Sequence, residues 1–193
     1  MLRTTNPTRT LWEAILPAQL WIAQPSATRD GPAAFEHHAL LETCDLGAAE
    51  VTVLIGELGG VISPARRDTD HVGVDLALRP GTTTVPLRVD YEHALVVLTG
   101  AVNVDGLAIE PGRLAYVGIG RGELSLHANA PTRLLLLGGI PFDEPVLMWW
   151  NYVARTREEI TRAHADWIAA ADRFGHVNSS LPRTEAGPPP WVR

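Results

Sequence analysis

The chain has no lysine; all 16 of its basic residues are arginine. Schiff-base chemistry on a lysine amine, including pyridoxal phosphate attachment, is thereby excluded for this chain, as is the phosphate-binding lysine of a P-loop. The single cysteine, Cys44, leaves no internal disulfide, and a cytoplasmic location is the simple expectation. Cys44 has no basic pair beside it in sequence and reads as a buried apolar thiol rather than a nucleophile. No apolar run reaches the roughly 18 residues a membrane span needs. The opening stretch MLRTTNPTRTLWEAILP has no continuous apolar segment ending in small residues, so no secretory leader is expected either. Positive charge is also scarce. A net charge of −6 argues against direct nucleic-acid binding, which rests on clustered cations that neutralise phosphates.

What the chain does have is apolar content, 46% of its 193 residues, enough for a packed core. EVTVLIG (50–56) is β-branched and apolar, and VGVDLALRPG (72–81) alternates so that Val74, Leu76 and Leu78 share one face. HALVVLTGAVNVDG (93–106) predicts two strands joined at Thr99-Gly100 and followed by an Asp105-Gly106 turn. RLAYVG (113–118), GELSLHA (122–128) and TRLLLLGG (132–139) continue the series. Short strands at a spacing of about 8–12 residues predict a sandwich or barrel. The glycine-rich GELGGVISPARR (56–67) lacks the strand–glycine–helix context of a dinucleotide fingerprint and reads as a turn with a bulge.

One helix is expected, from about residue 156. Thr156 and Glu159 have capping-box spacing, and Ile160, Ala163, Trp167, Ile168, Ala171 and Phe174 form an apolar stripe ending at a Gly175 cap. Glu158–Arg162 and Arg162–Asp166 are spaced for i,i+4 pairs on the wet face.

The segments AQLWIAQP (18–25), AFEHHA (34–39), HALVVLTGAVNVDG (93–106), LLLLGGIPFDEPVLMWWNYVARTREEI (134–160) and ADW (165–167) resemble the second half of the pirin family, two-barrel cupin proteins. The resemblance implies an all-β fold: a single cupin-type jelly-roll barrel, or double-stranded β-sandwich, with one C-terminal α-helix. It suggests four parts: an irregular N-terminal segment (1–17), a pirin-like C-terminal cupin barrel (18–145), a strap and amphipathic helix (146–175), and a proline-rich tail (176–193). The family's iron site lies in its first barrel and uses an H-x-H pair, a further His and a Glu. Only 17 residues precede AQLWIAQP, and none of the seven histidines (37, 38, 71, 93, 127, 164, 176) forms H-x-H. Ligands two apart share a strand face, whereas His37 and His38 are adjacent and point to opposite faces. Counting back from Gly100, the cupin Glu slot holds His93, and the later His slot holds Tyr116 or Ala115. The expectation is no metal and no cofactor in this chain.

Tyr91, Glu92, His93 and Tyr116 are the candidates for a small polar mouth to the barrel, set against ordinary packing of each. In MWWNY (148–152), adjacent strand residues should face opposite ways, so Trp149 and Trp150 would pack on different partners, with Asn151 hydrogen-bonding at the strand end and Arg155 pairing an acid. Ile160, Trp167 and Phe174 are shaped to be covered, each burial being worth roughly 1.5–3 kcal/mol. Either the helix folds back on its own barrel, or a homodimer exchanges helices or a second cupin chain covers it; exchange is favoured. The favoured function is a pirin-like, non-catalytic binding or regulatory module. The alternatives are a quercetin 2,3-dioxygenase-type enzyme needing a metal-bearing first barrel from elsewhere, and a cupin that binds a small molecule such as a sugar or acid without metal.

Overall fold

The computed structural model describes residues 18–192. The irregular segment expected over 1–17 lies outside the described residues. Strands β1 (Thr43–Leu46) and β2 (Ala49–Ile55) are followed by a minor pair, β3 (Glu57–Leu58) and β4 (Val61–Ile62). The series continues with β5 (His71–Leu78), β6 (Gly81–Pro86), β7 (Glu92–Thr99), β8 (Val102–Val104) and β9 (Leu107–Ile109). It closes with β10 (Leu114–Val117), β11 (Glu123–Ala128) and β12 (Thr132–Gly139), then a hairpin of β13 (Leu147–Trp149) and β14 (Tyr152–Ala154). Two antiparallel sheets result: a six-stranded one in the order β1-β2-β5-β12-β7-β10, and a four-stranded one in the order β6-β11-β8-β9.

Period-two patterning explains why these residues form strands. In β2, Ala49, Val51 and Val53 are fully buried; in β5, Val74 and Leu76; in β7, Leu95; in β11, Leu124 and Leu126; in β12, Leu134 and Leu136. These side chains fill the space between the sheets as one core. Two turns need special backbone. Asp105 and Gly106, both at positive φ (51° and 88°), make the two-residue link from β8 to β9. Gly100 (φ 77°) packs so closely on the next chain that a Cβ would lie 2.8 Å from the Pro131 carbonyl. There Thr132 Oγ1 accepts from the Ala101 N–H (3.2 Å) and donates to the Ala101 carbonyl (3.0 Å). The result is a mostly β cupin-type sandwich with, among the described residues, a single C-terminal α-helix.

That helix, α1 (Arg157–Ile168), starts where expected but ends early. The Thr156 side chain accepts from the Glu159 N–H at 3.2 Å. The Glu159 carboxylate does not return to Thr156; it takes the Arg155 N–H (2.8 Å) and both terminal nitrogens of Arg29 (2.7 and 2.8 Å). The stripe expected to run on to Phe174 is broken after Ile168. Ala171 N–H reaches the Asp166 carbonyl (2.9 Å) and Ala170 N–H the Trp167 carbonyl (3.1 Å), with Ala170 at φ 55°. This is a Schellman closure with alanine at the left-handed position usually given to glycine. Gly175 instead closes a separate 3-10 turn, Asp172–Phe174. Asp166 pairs with Arg173 at 3.0 Å rather than with Arg162.

The helix packs on the β13–β14 hairpin of its own chain, around fully buried Ile160, with Tyr152 and Ala154 buried beside it. Trp149 and Trp150 do not face apart. Trp150 leaves the strand at φ 49° as a turn residue, and this swings both indoles onto Tyr152, at centroid distances of 6.0 and 5.3 Å.

Candidate functional site

A cavity of about 670 Å³ lies on the outer face of the six-stranded sheet. The strand pleat builds its floor. The residues of β5, β12 and β7 that point away from the core here are Gly73, Leu137, Gly139 and Ala94. The two glycines keep the floor low: a Cβ at Gly73 would lie 3.2 Å from Ile55 Cγ2, and one at Gly139 3.1 Å from His71 Cβ. Trp21, Ile22, Ile140 and Phe142, from the segments before and after the barrel, form apolar walls. Polarity is confined to a few groups. Tyr116 O–H donates to Glu92 Oε2 at 2.8 Å, and the neighbouring carboxylate raises the phenol's pKa. His71 Nδ1 is 2.9 Å from Thr69 Oγ1; its Nε2 is enclosed without a partner, and burial lowers the ring's pKa.

Tyr91 and His93 lie on the other side of that sheet. Both are buried, with rings 6.0 Å apart at the open end of the barrel. Arg88 closes this end: its guanidinium sits 4.2 Å over the Tyr91 ring, donates to Tyr91 Oη (3.0 Å), and pairs with Asp70 (3.1 Å) and Asp90 (2.5 Å). A smaller cavity of about 260 Å³ lies under it. The four residues read from sequence as one mouth are thus divided. Glu92 and Tyr116 meet on the outer face, while Tyr91 and His93 meet inside, because consecutive strand positions alternate. His93 borders both cavities. Its ring lies against the Gly138 α-carbon, its Nδ1 has no partner, and burial lowers its pKa.

These residues do not suit a cupin metal. Among the described residues no group of three His, Cys, Asp or Glu side chains could hold an ion. The pleat sends His71 outward and His93 inward, so the two imidazoles nearest the barrel end do not converge. Glu92 is already engaged by Tyr116, and the exposed Glu36 meets His38 at 3.2 Å.

A polar latch joins the helix unit to the barrel. Ser26 gives its N–H (2.9 Å) and hydroxyl (2.6 Å) to the Glu144 carboxylate, which also takes Arg155 Nε at 2.7 Å. This is the acid expected for Arg155. These bonds hold the Glu144 carboxyl down at about 2, the Ser26 hydroxyl contributing most; the Arg29 ion pair does the same for Glu159, also at about 2. Asn151 is exposed at the hairpin turn, and Trp167 meets Phe174 edge-on at 5.1 Å. Sequence reasoning missed His71, Trp21, Ile22, Phe142 and Glu144. One available signal was Gly138-Gly139 inside an apolar strand, since glycine there marks a close approach.

Fold and site together define a cupin-type β-sandwich with a ligand-sized cavity. Residues 73–175 match the pirin C-terminal cupin domain, and the chain belongs to the pirin family. A Pseudomonas aeruginosa protein named as a candidate quercetin 2,3-dioxygenase is 39% identical over 176 residues, covering 90% of this chain and 56% of the relative. A pirin-like protein of Caulobacter vibrioides is 30% identical over 155 residues, 78% of this chain and 53% of its own length. A solved quercetin 2,3-dioxygenase of Acinetobacter baumannii superposes with a TM-score of 0.81 at 33% identity, over 90% of this chain and 58% of that one. The chain therefore spans a little over half the length of these relatives. Among the described residues no helix is long and apolar enough to cross a membrane.

Proposed function

We propose that this chain is a pirin-type recognition module, binding a small, largely apolar molecule in the outer-face cavity without metal-centred chemistry of its own. The supporting observation is the contrast between the two sides of the sheet. The outer side offers a largely apolar hollow of about 670 Å³ with a few polar groups, among them the Glu92–Tyr116 pair and His71. That volume and that distribution suit a compact ligand carrying one or two hydrogen-bonding groups. The inner side offers buried, packed Tyr91 and His93.

The test combines metal analysis, oxygen uptake and thermal shift on the purified chain. The expected result is iron far below one equivalent, no oxygen uptake with quercetin, and a rise in Tm with apolar ligands that Leu137→Trp, filling the hollow, abolishes. Iron near one equivalent with quercetin-dependent oxygen uptake would overturn it.

A second reading has a specific observation in its favour. At 39% identity to a relative of which it spans 56%, this chain could serve a quercetin 2,3-dioxygenase-type protein as the half without the metal. A second cupin chain, or coding sequence upstream of Met1, would then supply the metal-bearing barrel. An in-frame H-x-H segment in the upstream DNA would favour that reading.

A further inference from the structure

The proline-rich tail lies on α1 in a defined register. Trp167 Nε1 donates to the Thr184 carbonyl (2.9 Å), His164 Nε2 lies 3.1 Å from the Ala186 carbonyl, and Trp191 Nε1 donates to Thr161 Oγ1 (3.1 Å). Residues 161, 164 and 167 form one row along the helix, so the tail runs antiparallel to it. Two side chains anchor its ends. The Arg183 guanidinium stacks 4.0 Å over the Trp167 ring and donates to the Trp167 carbonyl. Trp191 meets Trp149 edge-on at 5.9 Å with Arg157 over its ring at 5.4 Å. Between the anchors Pro189 is buried.

This is how domains that read proline-rich peptides work. Aromatic rings and a few donors meet an extended strand whose prolines have already limited its freedom, so little entropy is lost on docking. Two of the three helix contacts go to main-chain carbonyls of the tail, and specificity falls to Arg183 and Trp191. The connection back to the fold is exposed: Val177 and Leu181 are 77% and 78% accessible. Within it the hydrogen bonds are local: Ser179 N–H donates to the Val177 carbonyl (2.9 Å) and Leu181 N–H to Ser179 Oγ (3.1 Å).

We propose that the row Thr161, His164 and Trp167, with Trp149, is a peptide-binding groove occupied in cis by residues 183–191, and that a second copy of the chain supplies the same segment in trans by tail exchange. A short flexible connection gives the cis tail an effective concentration on the order of millimolar, so exchange is minor at micromolar protein and grows as concentration rises.

The test uses the full chain carrying Arg183→Ala and Trp191→Ala, which loosens the cis tail, with a fluorescent peptide of residues 181–192. The native peptide is expected to bind this variant saturably and the unaltered chain at least tenfold more weakly. A peptide bearing the same two alanines should bind neither. The groove is overturned if the native peptide fails to bind the variant, or if the altered peptide binds equally well. Sedimentation of the unaltered chain tests the second copy: a dimer should grow toward ~1 mM protein and dissolve with saturating peptide. A chain still monomeric at that concentration, or a dimer that survives the peptide, overturns the exchange.

Discussion

The contact between His93 and Gly138 yields a sharp stability prediction. The two residues are direct partners on β7 and β12, both facing the core. The His93 ring, 3% exposed, occupies the volume in which a side chain at 138 would stand, with Nε2 3.0 Å from an ideal Cβ. In Gly138→Ala the methyl and the ring compete for one space, and overpacking of this kind costs about 1–3 kcal/mol. His93→Ala alone removes the ring and leaves a hollow, at a cost of the same order. In the double variant the new methyl enters the vacated space, so the two costs should not add. A coupling of about 1 kcal/mol or more, in the sense of the double variant being more stable than the sum, is expected. Urea unfolding followed by circular dichroism measures all four corners of the cycle. Additive losses, or a Gly138→Ala chain as stable as the original, would refute the reasoning that the ring needs a bare α-carbon beneath it.

Acid should act in two separate windows. His71 and His93 are depressed by burial below their ordinary 6.5, so stability present above that pH falls as pH drops below it and the unfolded chain takes up protons first. Glu144 and Glu159 are held at about 2 against an ordinary 4.5, so their contribution is full above 4.5 and is lost as pH falls toward 2. Urea midpoints measured from pH 8 to 2 should show both declines, and a single transition would count against this assignment. Ile160→Ala, at a position with no exposure, should cost about 2–5 kcal/mol in the helix unit, read as lost amide protection there while the barrel strands keep theirs. Ala170→Gly should stabilise by about 0.5–1 kcal/mol, because relief of a left-handed alanine exceeds glycine's extra freedom in the unfolded chain; thermal denaturation reads it.

The strands that the sequence displayed are those whose inner side chains fill the core. β7 and β11 alternate cleanly, whereas β12 shows as a run of four leucines of which Leu134, Leu135 and Leu136 are all buried. β6 escaped notice because GTTTVP is threonine-rich and ends in Pro86; it lies at an edge of its sheet, where a missing amide donor is tolerated. The helix start was legible in Thr156 and Glu159. Its end was not, because the run Ala169-Ala170-Ala171 offers no breaker and the closure depends on one alanine adopting positive φ. The candidate site was half legible. Alternation alone could have told that Glu92 and His93 point to opposite faces, but Trp21, Ile22 and Phe142 reach the cavity from segments outside the strands, where no periodicity marks them.

That placement ties the cavity to the latch. Its floor is sheet, fixed by the barrel core, but its walls come from around residues 20–25 and 140–146, which belong to no strand. What holds those walls together is charge-assisted hydrogen bonding: Glu144 grips Ser26 from one wall, and Arg155 of the hairpin grips Glu144 and, at 2.5 Å, the Gln24 carbonyl. Apolar packing sets the two cores separately, one between the sheets and one around Ile160. The floor of the hollow therefore depends on the barrel core, and the placement of its walls on Glu144 and Arg155. Glu144→Gln, which keeps the size of the side chain and removes its charge, should lower the urea midpoint, as protonation of this carboxyl does, while the barrel strands keep their amide protection. It should weaken ligand binding in the cavity, read as a smaller ligand-induced rise in Tm. Equal ligand shifts in the two proteins would mean that the walls stand without the latch.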